Sequence, residues 1–251
     1  MKKTMPLLVL SLLFLLLFTT CTHENDNQQV ILNAVKDVDG NSYDAVRIGD
    51  QVWMKTNLRT KHFRDGSPIP EGDEDHWSRT KPYVYEPISD ELGIVPESKA
   101  YGLYYNWPVV ADNRGLCPKG WHVPSDSEWQ ELLDYVGRKN EFCVNNDPTA
   151  IAKALAAKEG WCSSIGDGTP GCFPEENNKT GFSAVPAGYW DICLEDISGC
   201  SCFWTSSFRN DNSAWCYILE SESMYVIRFG GHDGALWGNN VCGFSVRCLR
   251  D

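Results

Sequence analysis

The sequence predicts an α+β domain of short antiparallel strands, two helices and long loops, stapled by disulfides. Three observations carry this. Strand-like runs come first, two helical stretches follow, and a second set of short strands closes the chain, so the elements are segregated instead of alternating as βαβ. Ten of the eleven cysteines come after an export leader and its closing Cys21. Glycine and proline, 21 and 13 residues, interrupt the apolar runs often enough that few elements can be long.

Residues 1–20 read as a leader. Lys2 and Lys3 precede an apolar run over 7–18, broken only by Ser11, and Thr19, Thr20 and Cys21 close it. A run of about a dozen residues falls short of the roughly 20 a membrane span needs; with positive charge ahead and small residues behind, it has the form of a secretory signal. A cysteine at the cleavage point marks a bacterial lipoprotein signal, with Cys21 acylated as the new first residue. After Cys21, residues 22–29 (THENDNQQ) are polar and acidic without apolar periodicity, and a flexible tether is expected over 21–32. The domain is expected over 33–251.

Asp39-Gly40-Asn41 is a turn signal, and runs at 43–48 and 51–54 flank Gly49-Asp50, a pair suited to a tight hairpin. Residues 65–98, rich in Pro, Gly, Asp and Glu, read as loop, and the aromatic run at 101–107 as a buried strand. The clearest helix covers 125–136. Ser125 and Glu128 make a capping box, Trp129, Leu132, Leu133 and Val136 fall on one face, and Gly137 sits at the stop. A second helix is expected over 148–158 (PTAIAKALAAK). After Cys162, strand-like runs at 203–206, 214–219, 225–229 and 244–249 lie between turns.

Charge and composition exclude several classes. The whole chain carries −12; without Lys2 and Lys3 it has 20 basic against 34 acidic residues, a net of −14. Nucleic-acid binding needs basic residues to neutralise phosphate, so no nucleic-acid partner is expected. His62, His76, His122 and His232 are scattered, Cys200-Ser201-Cys202 offers half of a zinc site at most, and no metal or other cofactor is expected. There is no Gly-x-Ser-x-Gly elbow, no phosphate loop and no singled-out carboxylate pair. The even set of ten cysteines after Cys21 points to disulfides, with connectivity open at this level.

Six ordered segments resemble one family. These are Ile48-Gly49-Asp50-Gln51-Val52-Trp53-Met54 with Asn57-Leu58, Tyr101-Gly102-Leu103-Tyr104-Tyr105-Asn106-Trp107, and Cys117-Pro118-Lys119-Gly120-Trp121-His122-Val123-Pro124-Ser125-Asp126-Ser127-Glu128-Trp129. The others are Gly181-Phe182-Ser183-Ala184-Val185-Pro186-Ala187-Gly188, Phe203-Trp204-Thr205-Ser206-Ser207, and Gly243-Phe244-Ser245-Val246-Arg247-Cys248. Together they resemble the Fibrobacter succinogenes major paralogous domain of exported bacterial lipoproteins. That family is similar in turn to the C-type-lectin-like and formylglycine-generating-enzyme-like folds, so the resemblance implies a C-type-lectin-like domain.

The resemblance implies a Cys117–Cys248 bridge tying the last strand to the start of the main helix; Cys162–Cys172 and Cys216–Cys242 are further expected pairings, and Cys193, Cys200 and Cys202, outside the matched motifs, read as staples of an insertion. The family gives a fold and an address instead of a reaction; the expected role is non-catalytic recognition of a glycan or a surface protein by a lipoprotein anchored to the outer membrane, as an adhesin or an accessory to polysaccharide use. Two rivals stay open: a formylglycine-generating-type oxidase using Cys242 and Cys248 as copper thiolates, and a structural fimbria-associated subunit. The asparagine- and aspartate-rich turns at 210–212, 233 and 239–240 carry oxygen donors that calcium favours, but none of the sugar-binding tripeptides of C-type lectins, and read as solvated turns. Trp53, Trp107, Trp121 and Trp129 are expected in the core. Trp190 and Trp237, each beside Gly or Asp, are the candidates for an exposed ligand platform.

Overall fold

The computed structural model describes residues 29–73, 78, 80–86, 101–191, 193–210, 213–230 and 242–251. Strands dominate them. A five-stranded sheet has the order β1 (Gln29–Lys36), β2 (Ser42–Ile48), β3 (Gln51–Met54), β12 (Leu249–Arg250), β6 (Trp121–His122); a three-stranded sheet has the order β11 (Ile227–Phe229), β10 (Ser213–Glu220), β9 (Cys200–Asn210); and two pairs, β4 (Val84–Tyr85) with β5 (Tyr104–Tyr105) and β7 (Tyr189–Asp191) with β8 (Cys193–Glu195), complete the set. All named pairings are antiparallel. Helix among the described residues amounts to α2 (Asp126–Gly137) and two single α-turns, α1 (Trp107–Val110) and α3 (Ala152–Leu155), besides two short 3-10 turns. The expected α+β, C-type-lectin-like arrangement with two helices is therefore overturned: this is a β-rich domain with one substantial helix.

The missing helix has a physical explanation. The alanine-rich segment 148–158 has high intrinsic helix propensity, but its backbone groups are engaged elsewhere. Ala152 N–H donates to the Met224 carbonyl, Ala157 N–H to that of Ala184, and the Ala154 carbonyl accepts from Thr180. Ala156 also bridges in parallel to Ala184. Small side chains allow these close backbone approaches, and tertiary pairing overrides propensity.

β1 (Gln29–Lys36) lies at the edge of the large sheet and pairs with β2 (Ser42–Ile48), Gln29 opposite Arg47. The tether drawn at 21–32 is thus too long, since its last four residues belong to the sheet. β2 turns into β3 (Gln51–Met54) through Gly49-Asp50, with Ile48 opposite Gln51 and Gly49 at φ +60°. Any Cβ at Gly49 would lie 2.8 Å from the Tyr135 ring, so both conformation and space demand glycine.

β12 (Leu249–Arg250) inserts between β3 and β6 (Trp121–His122): Leu249 faces Trp53 on one side and His122 on the other. The run expected as a strand over 244–249 is longer than the ladder that forms. Its residues bond one after another to different elements: Phe244 to Tyr105, Ser245 to Cys202 and Trp204, Val246 to Leu58 and Cys248 to Met54. The last motif of the chain is the hub of the fold. A Cys117–Cys248 disulfide fastens this hub to the entry of β6 and α2.

α2 forms where its signals place it. Ser125 caps it, Glu128 reaches back to the Ser125 N–H, and Trp129, Leu132 and Val136 are fully buried. Trp129 packs against Trp53, Phe182, Phe203 and Tyr217 at centroid separations of 5.0, 5.6, 5.5 and 4.9 Å. This aromatic core joins the large sheet to the sheet formed by β9 (Cys200–Asn210), β10 (Ser213–Glu220) and β11 (Ile227–Phe229).

The other two pairings, Cys162–Cys172 and Cys216–Cys242, are not formed in this structure. Cys162 is exposed while Cys172 is buried, and the Cys216 thiol is directed to the Phe229 carbonyl at 3.3 Å.

Candidate functional site

The hub positions the segment that follows β3. Asn57 is buried, donating from Nδ2 to the Tyr101 carbonyl and Ser245 Oγ, while its Oδ1 accepts from Arg247 Nη2 at 2.8 Å. Leu58 is held between the Val246 carbonyl and the Leu103 N–H. Gly102, at φ +81°, lets the chain pass so closely that a Cβ there would lie 2.6 Å from Asn57 Cβ. With 57–58 fixed, Arg59, Lys61 and His62 come part-way to the surface around a buried Thr60.

A polar cleft of about 490 Å³ opens over this stretch, lined by Asp39, Asn41, Arg59, Lys61, His62, Glu86 and Leu103. A second, of about 370 Å³, adjoins it through the shared Arg59 and is lined by Ser42, Asp44, Lys55, Thr56, Ser183 and Val185. Arg59 is the wall between them. Its guanidinium lies 4.8 Å from the Tyr43 ring centroid, donates from Nε to Asn41 Oδ1 at 3.3 Å and from Nη2 to the Ser42 carbonyl at 3.2 Å. Tyr43 in turn donates to Asp37 Oδ2 at 2.6 Å, and Asp37 accepts from Asn41, so the floor is rigid.

Asp39 organises the other rim. It accepts from the Lys61 N–H at 2.6 Å and Thr60 Oγ1 at 2.8 Å, and pairs with His62 Nδ1 at 2.5 Å. Partial burial works to raise its pKa, but these donors and the imidazole outweigh it and hold the carboxyl below its usual value. Lys61 Nζ bridges Glu71 and Glu86, both at 2.9 Å, and Glu86, then Glu71, raise its pKa. Glu86 reaches this rim because buried Asn106 clamps the preceding loop, accepting from the Tyr83 N–H and donating to the Ser78 and Lys81 carbonyls. β4 (Val84–Tyr85) and β5 (Tyr104–Tyr105) then carry the chain to Glu86.

Chemically, the paired clefts interleave fixed donors and acceptors of both signs at low net charge. That set can hydrogen-bond a polyhydroxylated molecule along its length. The preorganised partners spare it the cost of ordering long side chains on binding.

Most sequence-derived site residues lie elsewhere. Trp190, in β7 (Tyr189–Asp191), is 5% exposed and stacks on Tyr85 at 5.0 Å with 13° between ring planes, so its face is not a free platform. Its indole N–H is buried without a partner among the described residues. Reciprocal backbone hydrogen bonds with Gly243 pull it inward. Trp237 and Cys21 lie outside the described residues, as do the calcium-type turns at 211–212, 233 and 239–240. No group of three or more His, Cys, Asp or Glu suited to a metal occurs among the described residues. No described helix is long and apolar enough to cross a membrane.

Sequence reading missed Arg59, Lys61 and His62. The available signal was Arg59-Thr60-Lys61-His62 itself, three basic residues in four of an acidic chain, directly after the Asn57-Leu58 motif. Searches of curated proteins and of solved structures gave no match. A family model, the Fibrobacter succinogenes major domain, matches residues 46–250, from the β2–β3 hairpin to the last strand. That span holds the cleft residues from Lys55 to Glu86 and the hub that places them, and the chain belongs to the Fibrobacter succinogenes major domain family.

Proposed function

We propose that this chain is a non-catalytic recognition domain that holds a neutral glycan in the paired clefts around Arg59. The observation that carries the proposal is the arrangement of Asp39, Arg59, Lys61 and Glu86: charged groups of both signs, each fixed by its own partners, around about 490 Å³ of open space. Clefts of a few hundred cubic ångströms are the size of small-ligand sites, and a polar lining selects a ligand rich in hydroxyls. Asp39, held in its ionised form, serves as an acceptor and not as a proton donor.

The rival oxidase requires Cys242 and Cys248 as a thiolate pair, and Cys248 is consumed by its bond to Cys117. The leader at 1–20 and Cys21 support placement on the outer membrane through an N-terminal lipid. In that setting, the cleft would serve adhesion or polysaccharide capture.

The test is a glycan array probed with the intact chain and with Arg59→Ala. Saturable binding to neutral oligosaccharides, reduced at least tenfold by the substitution, is expected. Equal binding by both proteins would remove the cleft from the account. Lipidation is tested separately by feeding labelled fatty acid: label should enter the wild type and be absent from Cys21→Ser.

A further inference from the structure

The core-facing side of β9 carries a pair of thiols that the proposed binding function does not use. Cys200 and Cys202 alternate along the strand and so point to the same face. They are 1% and 0% exposed, in the same apolar layer as Cys216 and Cys242. Their sulfurs stand 3.7 Å apart. Across the ladder, β10 places Ile218 opposite Cys202 and Glu220 opposite Cys200, while Cys216 lies opposite Trp204 with its thiol directed to the Phe229 carbonyl. No cysteine of β10 is directly opposite either member of the pair, although Cys216 is the diagonal neighbour of Cys202 on the same face. Positions two apart on a strand put their Cα atoms about 6.6 Å apart, inside the Cα range of a disulfide, and because the bond also needs Cβ atoms about 3.8 Å apart, closing it twists β9 locally.

The pair lies directly behind a surface turn. Residues 196–199 form the tight turn that leads into β9, with Gly199 and Cys200 N–H both donating to the Asp196 carbonyl. Asp196 is exposed.

We propose that Cys200 and Cys202 are a modification site, a dithiol converted to an intrastrand disulfide by exchange with an oxidant that itself carries a disulfide. The Cys200 thiolate attacks one sulfur of the oxidant, forming a mixed disulfide and expelling the first oxidant sulfur as thiolate. The Cys202 thiolate then attacks Cys200 Sγ, closing the Cys200–Cys202 bond and expelling the second. Two electrons pass to the oxidant, and the two protons lost by the cysteines end on its dithiol. In the folded chain the neighbouring Cys202 and burial hold the Cys200 thiol protonated, and burial does the same to Cys202. Exchange proceeds through thiolates, so it requires β9 to open far enough to expose the pair.

The test refolds the reduced full chain in a glutathione disulfide buffer, blocks remaining thiols with iodoacetamide under denaturing conditions, and cleaves after Glu195 and Arg209. The resulting 196–209 peptide contains no other cysteine. It should be two hydrogens lighter than the dithiol and carry no alkyl group, and Cys216→Ser should leave that result unchanged. Cys202→Ser should return Cys200 to alkylation or to a mixed disulfide with glutathione. Recovery of the wild-type peptide with two alkyl groups, or either residue linked to a different cysteine, would overturn the proposal.

Discussion

Arg247 is a sharp test of how the hub holds the fold. It is 1% exposed and has no carboxylate among its hydrogen-bond partners. Its guanidinium donates to Asn57 Oδ1 from Nε and Nη2, to the Phe182 carbonyl from Nη1, and to the Ser183 carbonyl from Nη2. It also lies 4.4 Å from the Phe182 ring centroid and 5.3 Å from that of Phe203. Burial lowers its pKa to about 9, so it remains charged at neutral pH.

Arg247→Ala removes the donors from two buried acceptors, Asn57 Oδ1 and the Phe182 carbonyl, each costing about 1–3 kcal/mol when left unsatisfied, and from the part-buried Ser183 carbonyl, and opens a cavity between two aromatic rings. Relief of the buried charge and entry of water return part of this. A net loss of roughly 3–5 kcal/mol follows, the scale on which breaking buried polar pairs is measured. For a domain of this size that is roughly a 10 °C fall in Tm. Urea denaturation of the disulfide-intact chain measures it, and the Asn57→Ala, Arg247→Ala double-mutant cycle should show coupling above about 1 kcal/mol. A single-mutant loss under about 1 kcal/mol would refute the view that Arg247 pins Asn57 and the 182–183 carbonyls together.

Other consequences follow from the same structure. Ser125→Ala removes one half of the α2 capping box and should cost about 1 kcal/mol, read as a Tm shift of a few degrees. Reducing the Cys117–Cys248 bond opens a loop of 131 residues, and a chain-entropy estimate puts the loss near 5 kcal/mol; comparing denaturation with and without reductant measures it. His122 joins Asp251 through Nδ1 at 2.7 Å and Glu128 through Nε2 at 2.9 Å. Burial lowers its pKa, but the two carboxylates outweigh this and raise it above the ordinary value. Its contribution to stability is therefore complete below the unfolded-state pKa of about 6.5 and is lost as pH rises through the higher folded-state value. His122→Gln should flatten that decline in a plot of Tm against pH, and an unchanged slope would deny the linkage.

Local signals were legible where neighbouring residues settle the conformation. The Gly49-Asp50 hairpin and the Ser125–Glu128 cap with its Trp129, Leu132 and Val136 face form as their sequences dictate. The buried positions of Trp53, Trp107, Trp121 and Trp129 likewise follow from their motifs. What depends on long-range pairing was not legible. Nothing local in 148–158 shows that Ala156 and Ala157 will bond to Ala184 instead of forming a helix. Trp190 reads as exposed beside Gly188 and Asp191, yet two hydrogen bonds to Gly243, 53 positions on, turn it onto Tyr85. The candidate site was hidden for the same reason: Asp39, Arg59 and Glu86 are far apart in sequence and meet only because Asn57, Asn106 and the last motif fold the intervening chain.

The binding claim is tested most directly by mapping amide chemical shifts of the isotope-labelled chain during titration with the neutral oligosaccharide that binds best on the array. Saturable shifts are expected at Asn41, Arg59, Lys61, His62 and Ser183, with the sugar recovered unchanged, and no such response in Arg59→Ala. Shifts centred away from these residues, or cleavage of the sugar, would contradict it.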